Sequence, residues 1–274
     1  MRGNPLVIEV LAGLGRRGTA ELHTFGLLVL LAAVLIVWWP KTGLEQVLES
    51  QQVPNTLTAV VITLGIAMSY LALLCGAEEI MLQGQHGLRD WALATPLRPG
   101  RILRGYVLGH ILYSVHCLAL SLPVLLTAFT ISGGEWAALG WCVAAALVQA
   151  VFYRLCGAIT HLTIGQHRAE SRFVVRAILV LVYVPVGLAA PVTSHVAFTS
   201  RVLGEEMGSG AAFAAAPDNA AFLAAYAGLG MIAALALYWL LTRERLGMAA
   251  PLGGDQGSPE GDQGSPHGSG AGRM

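Results

Sequence analysis

The sequence predicts an all-α integral membrane protein, and three observations support that fold class. Hydrophobic residues make up 55% of the 274-residue chain and charged residues only 12%, whereas about a quarter of a typical soluble domain is charged. The mean hydropathy is +0.64. The apolar residues also form runs long enough to cross the roughly 30 Å of hydrocarbon in a bilayer as helices. The formal net charge is zero, so total charge gives no sign of a nucleic-acid partner, and we expect none.

The first segment, residues 1–21, is predicted to form an amphipathic helix that lies in the membrane interface. Between Asn4 and Leu14 the apolar residues recur at helical spacing on one face, and Arg16 and Arg17 follow. An ordinary start to the first span is the alternative. The first apolar run ends in two tryptophans and a proline instead of a small-residue cleavage site, so we expect this run to be retained as a span.

Six transmembrane helices are predicted within a transmembrane domain at residues 22–246. Pro123 is expected to kink the third span and Pro185 to interrupt the fifth. Gly228 and Gly230 in the sixth, beside several alanines, favour close helix packing, either within the chain or at a dimer seam. The predicted spans are His23 to Trp39, Leu57 to Gly76, Tyr106 to Ile131, Ala137 to Ile164, Phe173 to Val192 and Ala221 to Leu241.

The distribution of basic residues predicts that both termini are cytoplasmic, because cytoplasmic segments of membrane proteins are rich in Lys and Arg. With this orientation the outer segments hold only Lys41 and Arg201, and Arg154 lies inside the fourth span. The inner segments and span edges hold Arg2, Arg16, Arg17, Arg89, Arg98, Arg101, Arg104, Arg168, Arg172, Arg176, Arg243, Arg245 and Arg273.

Two further segments have a distinct composition. The last outer segment, Thr193 to Asn219, is long and semi-apolar, and we expect Val196 to Leu203 and Ala211 to Ala216 to form short helices that dip into the outer leaflet. Residues 247–274 repeat GDQGSP and have too few apolar residues to order themselves. We predict that they form a disordered cytoplasmic tail.

The polar segment from Ala77 to Gly105 has more features than a linker between two spans requires. It begins with an acidic pair, continues as a short amphipathic helix candidate, is broken by Thr95 and Pro96, and ends in a basic stretch. A short helix on the membrane surface suits a cleft on a soluble partner. Leu88, Trp91 and Leu93 would be its buried anchors, and Arg89 and Asp90 would form directional pairs. The alternative is an interfacial helix that only seals the loop.

In this order of features the segment resembles the cytoplasmic coupling region of the ABC type-2 membrane permeases. The opening Asn-Pro-Leu, the six spans and the long segment before the last span are also similar to that family, so the resemblance covers roughly residues 4 to 245. The coupling residues implied by the resemblance and by the anchors above are Glu78, Glu79, Gly87, Leu88, Arg89, Asp90, Trp91, Leu93, Thr95, Pro96 and Leu97.

The resemblance implies a permease subunit of an ATP-driven ABC exporter in a bacterial inner membrane, working by alternating access. Its expected partners are a separate ABC ATPase subunit, a second permease subunit (identical or paralogous) and membrane lipid. ATP and Mg would be bound by the ATPase, and this chain would bind no cofactor and catalyse no reaction. The sequence contains no GxxxxGK[ST] phosphate-binding loop, so any ATP hydrolysis is expected in another chain.

Polar residues inside the predicted spans are candidates for an intramembrane site. Arg154 would pair with an acid such as Glu78 or Glu79, contact an anionic substrate, or extend to the inner head groups. His110 and His116 are six residues apart and therefore share a helix face poorly, which disfavours a haem or copper site, and we expect no metal. Ser114 and Ser121 are seven apart and share a face. The four cysteines lie in apolar runs without CxxC spacing, as is typical of small buried side chains.

Two other function classes are compatible with the sequence. A six-span secondary transporter would favour an internal repeat with broken helices at matching positions, and we find no convincing repeat. The other class is a membrane enzyme, or a scaffold without an ATPase partner, and an enzyme would need clustered catalytic groups in its spans. Arg154 and the scattered histidines have no acidic partner at a fixed spacing.

Overall fold

The computed structural model describes residues 4–8, 19–40, 56–78, 96–164, 173–174, 177–178, 180–181, 194–204 and 216–249. All regular secondary structure in these ranges is helical, which confirms the all-α class. Helical residues also occur at 5–8 and in the short described pieces between 173 and 181. The principal helices are α1 (Thr19–Val37), α2 (Thr56–Glu78), α3 (Pro99–Ser132), α4 (Trp136–Ile164), α5 (His195–Gly204) and α6 (Ala216–Ala249).

Four of these helices are long and apolar enough to cross a membrane. They contain Thr56–Gly76, Pro99–Ser132, Trp136–Thr163 and Pro217–Arg243, and correspond to the second, third, fourth and sixth predicted spans. The apolar part of α1, Leu22–Val37, is shorter. Most of the predicted fifth span lies outside the described residues, so six spans remain a prediction.

Contacts between helix ends give the direction of each helix. The Thr56 hydroxyl donates to the Trp38 carbonyl at 2.6 Å, and the Leu57 amide donates to the Ser132 hydroxyl at 3.2 Å. The ends of α1 and α3 therefore meet the start of α2. At the opposite end of the bundle, Gly100 near the start of α3 lies close to Tyr238 in the last part of α6. We call these the Ser132 end and the Pro99 end.

A tight turn joins α3 to α4. Gly133 has φ 63° and ψ 33°, and its amide donates to the Phe129 carbonyl. This left-handed backbone favours glycine, which has no Cβ to clash with it. Phe129 and Trp136 then pack across the turn with ring centroids 4.2 Å apart. The turn makes α3 and α4 antiparallel, so α4 runs in the same direction as α2.

The interior contains two apolar clusters. The larger one is centred on α2 and α4 and includes Phe198 of α5 and Phe222 of α6. The smaller one lies at the Pro99 end, where Leu6 of the N-terminal turn meets three long helices. Its members are Leu6, Ile102, Tyr106, Leu155, Ala158, Ala233, Leu237 and Leu241.

Helix ends differ from the predicted span bounds where hydropathy is a poor guide. The third span was expected to begin at Tyr106, but α3 begins at Pro99, because proline is well suited to the first turn of a helix. Pro123 lies within a helix that continues to Ser132. The sixth span was expected at Ala221 to Leu241, yet α6 runs from Ala216 to Ala249 and enters the predicted tail. The rest of that tail lies outside the described residues.

Gly228 and Gly230 do not pack against another helix among the described residues, and the alternative of a dimer seam stays a prediction. No described atom lies within 4 Å of the position that a Cβ would occupy at either glycine. Only 22% of the apolar stretch of α6 is buried, compared with 61% of that of α2. Among the described residues, this part of α6 therefore presents an open face.

Candidate functional site

Arg154 is a buried cation in the apolar interior. Arg154 is only 3% exposed, and its guanidinium carbon lies 4.4 Å from the centroid of the Tyr106 ring. Among the described residues, its Nε and Nη1 atoms have no hydrogen-bond partner. Arginine is not deprotonated in proteins, and a buried charge without a partner is costly. The ring of Tyr106 compensates only part of that cost.

The acidic partner expected for Arg154 is not found among the described side chains. Glu79 lies outside the described residues, and the structure describes only the backbone of Glu78. The acids whose side chains are described, Glu135 and Asp218, lie at the Ser132 end. Arg154 is 18 residues after Trp136, about 27 Å along α4 at 1.5 Å per residue. Pairing with Glu78 or Glu79 therefore stays a prediction.

A row of buried polar groups on α3 begins beside Arg154. Tyr106, His110 and Ser114 follow one another at intervals of four residues and therefore share a helix face. All three are buried, and the Ser114 hydroxyl lies 3.3 Å from Nε2 of His110. We call Arg154, Tyr106, His110 and Ser114 the Arg154 centre. It brings one fixed cation and three polar side chains into an apolar interior.

The other polar residues predicted on α3 have separate positions. His116 is half-buried and lies outside the row formed by Tyr106, His110 and Ser114. Ser121 is buried like Ser114, as expected from their shared face, and its hydroxyl donates to the Cys117 carbonyl at 2.8 Å. His116 and Ser121 are thus not part of the Arg154 centre.

The cysteines are packing residues in the described structure. Cys75, Cys117 and Cys142 are buried, Cys156 is half-buried, and no two of the four form a disulfide. Among the described residues there is no group of three or more His, Cys, Asp or Glu side chains that could hold a metal ion. The buried position predicted for the cysteines is confirmed for three of them.

α2 and α4 make a close crossing immediately beside Arg154. A Cβ at Gly76 would collide with the Arg154 carbonyl and would lie 2.9 Å from the Gly157 Cα and the Ala158 amide nitrogen. These are backbone atoms that cannot move aside as a side-chain tip can. Glycine at position 76 therefore allows the two backbones to approach closely.

The sequence contains a signal for this crossing that hydropathy and span length do not reveal. The tetrapeptide Leu-Cys-Gly-Ala occurs twice, at residues 74–77 and 155–158, and the two copies meet in the structure. Small residues at matching positions on two spans are typical of close helix packing. Tyr106 was not predicted as a site residue either, because an aromatic residue near a span edge is typical of the membrane interface.

The N-terminal turn closes the Pro99 end below the Arg154 centre. The Asn4 carbonyl and side-chain oxygen accept hydrogen bonds from residues 6–8, so Asn4 caps the turn, and Pro5 occupies its first position. The Asn4 side-chain amide donates to the Arg101 carbonyl at 2.8 Å. Leu6 is 2% exposed and packs in the cluster that contains Tyr106 and Leu155. Residues 9–18 of the predicted interfacial helix lie outside the described residues.

The predicted coupling residues are described only at the two margins of their segment. Glu78 is the last residue of α2. Glu79, Gly87, Leu88, Arg89, Asp90, Trp91, Leu93 and Thr95 lie outside the described residues. Pro96 is exposed, Leu97 packs against the cluster at the Pro99 end, and Arg98 precedes the first turn of α3 in extended conformation. The coupling helix itself therefore stays a prediction.

At the other end of the bundle, α5 inserts a buried histidine between α2 and α4. The expected short helix at Val196 to Leu203 is present as α5, and Ser194 caps it. His195 is 1% exposed, lies 3.4 Å from the Thr199 hydroxyl and occupies the space that a Cβ at Gly65 would need. Burial lowers the pKa of His195 to about 4. Nothing in the sequence alone indicated that this histidine is buried.

A cleft of about 430 Å³ lies between α1 and α2. Its walls are apolar apart from the three polar side chains of His23, Thr63 and Tyr70. A cavity of this size and character suits an apolar chain better than a polar solute.

No protein-family model matches this chain, and no curated protein matches it.

Proposed function

We propose that this chain is the permease subunit of an ATP-driven ABC exporter and that a separate ATPase subunit engages the segment between α2 and α3. The observation that carries the proposal is the position of this segment. It joins two long apolar helices, and the helix before it, α2, crosses α4 in backbone contact next to Arg154. The coupling features of its sequence support the same function.

The mechanism follows from how the helices are joined. α2 ends at Glu78 and α3 begins at Pro99, so a partner that moves the intervening segment pulls on both helices. Leu88, Trp91 and Leu93 anchor that partner, and the Thr95–Pro96 break transmits its motion to α3. Because the Gly76 crossing ties α2 to α4, the motion also reaches α4 and repacks the interior around the Arg154 centre. This is alternating access driven by ATP hydrolysis in the partner.

The assembly would contain two permease chains and two ATPase chains in a bacterial inner membrane. Both termini would face the cytoplasm, which places the Pro99 end on the cytoplasmic side. The concentration of arginines near that end, including Arg98, Arg101, Arg104 and Arg243, supports this orientation.

Affinity capture from the native host in mild detergent tests the proposal. We expect an ABC ATPase to co-purify in stoichiometric amount, and Trp91→Ala or Leu93→Ala to reduce its recovery by about tenfold, as for a buried anchor at an interface. Trp239→Ala and Leu235→Ala are matched controls, because both side chains are exposed on α6, and they should leave recovery unchanged.

The result that overturns the proposal is recovery of the chain alone, even after crosslinking at residues 89 or 91. That outcome would favour the secondary-transporter or membrane-enzyme classes. Normal ATPase recovery with both Trp91→Ala and Leu93→Ala would still support an ABC permease subunit but would show that these two residues are not in the interface.

A further inference from the structure

We propose that the Arg154 centre is a binding site for an anionic group, a phosphate or a carboxylate, carried by an amphiphile. The inference rests on the described helices alone and does not require an ATPase partner. Its starting point is a charge imbalance, since Arg154 is 3% exposed and two of its donor nitrogens have no partner among the described residues.

The geometry of the guanidinium fits an anion. One face is occupied by the Tyr106 ring at 4.4 Å, so the donors left available lie in the guanidinium plane. Charged N–H donors of this kind form strong hydrogen bonds with the oxygen atoms of a carboxylate or phosphate. His110 and Ser114 extend the polar row along α3 beyond the cation and lie within hydrogen-bond distance of each other at 3.3 Å.

The side chains around Arg154 determine the chemistry of the rest of the ligand. Leu155 and Ile102 belong to the apolar cluster that contains Tyr106, and Phe152 packs against it. A ligand that reaches Arg154 must therefore place apolar surface against these side chains. An amphiphile does this at low cost, because its chain already avoids water.

The N-terminal turn supplies a route to the site. Leu6 packs in the same cluster as Tyr106, and the Asn4 side chain donates a hydrogen bond to the Arg101 carbonyl of α3. Movement of Leu6 would open the Arg154 centre from the Pro99 end.

The test uses the full chain in a neutral detergent and measures Tm during titration with one of three probes. The probes are phosphatidylglycerol, phosphatidylcholine with the same acyl chains, and inorganic phosphate. We expect phosphatidylglycerol to raise the Tm of the wild type at a concentration about tenfold below that required for phosphatidylcholine, as for charged hydrogen bonds. Arg154→Met should respond equally to both lipids.

Arg154→Met also separates a ligand site from an internal ion pair. Without lipid, we expect its Tm to equal or exceed that of the wild type, because it replaces an uncompensated charge by an apolar chain. Arg243→Gln is the matched control, since Arg243 also lies over an aromatic ring, Trp239 at 5.5 Å, but is exposed. It should keep the preference for phosphatidylglycerol. Arg154→Lys keeps the charge but replaces the planar guanidinium by a compact ammonium group with fewer donors, and should weaken the preference several-fold.

Each outcome bears on the proposal. Stabilisation of the wild type but not of Arg154→Met by inorganic phosphate supports the anion site and identifies a soluble source, whereas an effect of phosphatidylglycerol alone identifies a lipid. Persistence of the lipid preference in Arg154→Met overturns the site. An internal ion pair would instead lower the Tm of both Arg154→Met and the Glu78→Gln/Glu79→Gln double variant, without any lipid effect. That result also overturns the anion site. None of these results affects the ATPase proposal.

Discussion

Glycine lies both at the crossing of α2 with α4 and on the open face of α6, but its surroundings in the two places are opposite. Gly76 lies so close to α4 that a Cβ would overlap the backbone of residues 154–158, whereas Gly228 and Gly230 have no described atom within 4 Å of that position. Both helices are apolar and long enough to span a membrane. A small residue in a span therefore permits close packing, but the neighbouring helix decides whether close packing occurs.

The difference also indicates which part of the bundle acts as a unit. Helices whose backbones meet at a close crossing tend to move together, because packed surfaces have few intermediate arrangements. α2 and α4 are such a pair, and Arg154 lies at their crossing. The open face of α6 makes no comparable contact within the described residues.

The largest expected effect comes from placing the same substitution in both regions. Gly76→Val should destabilise the chain by about 3 kcal/mol, at the upper end of the range for overpacking, because the atoms in its way are backbone atoms. Gly228→Val should change stability by less than about 0.5 kcal/mol. Unfolding of both variants in the same detergent measures the difference. Equal losses would show that the two glycines do not differ as the structure indicates.

A double-mutant cycle sharpens the comparison at a second glycine of α2. A Cβ at Gly65 would overlap the His195 imidazole, which is a side chain and can partly move aside. Gly65→Ala should therefore cost only about 1 kcal/mol. In the His195→Ala background the same change should cost almost nothing, which gives a coupling energy of about 1 kcal/mol. Additive effects of the two substitutions would place His195 away from Gly65.

The buried His195 also predicts a pH dependence. Burial lowers the pKa of His195 from its ordinary value of 6.5 to about 4, so the folded chain favours the neutral imidazole. The stabilisation is fully present above pH 6.5 and is lost as the pH falls towards 4, because the unfolded chain binds the proton first. The Tm of the wild type should fall over this range more steeply than that of His195→Gln. Parallel curves would contradict burial of the imidazole.

Hydropathy was sufficient to predict the four long apolar helices. The second and fourth spans, expected at Leu57 to Gly76 and Ala137 to Ile164, correspond closely to α2 and α4, because there the apolar run and the helix have the same ends. α3 and α6 extend beyond their apolar runs. A helix can continue into polar sequence outside the bilayer, because its backbone hydrogen bonds form there as well. Hydropathy does not predict this extension.

The candidate site was only partly predictable. Arg154 and His110 are conspicuous in an apolar run, so the sequence identified them, but their spatial relation required the structure. Tyr106 is 48 residues from Arg154 in sequence. Nothing in the sequence around Tyr106 indicates that its ring packs against the Arg154 guanidinium. The burial of Gly76 and the openness of Gly228 also depend on a second helix, which a single-helix pattern does not contain.

The smallest expected effect concerns the ion pair that joins α5 to the start of α6. Arg201 lies 3.9 Å from the Asp218 carboxylate, and the two side chains are 34% and 74% exposed. The nearer contact of Arg201 is a 3.0 Å hydrogen bond to the Asn219 side-chain oxygen. Asp218→Asn should therefore lower the stability by less than about 1 kcal/mol. Most of this decrease comes from removing a negative charge in the first turn of α6, and the decrease should be smaller at high salt. Unfolding at two salt concentrations measures it, and a larger loss that salt does not reduce would mean that Asp218 is buried in solution. An exposed pair costs little to break because water solvates the remaining charge, and that is the respect in which Arg201 differs from Arg154.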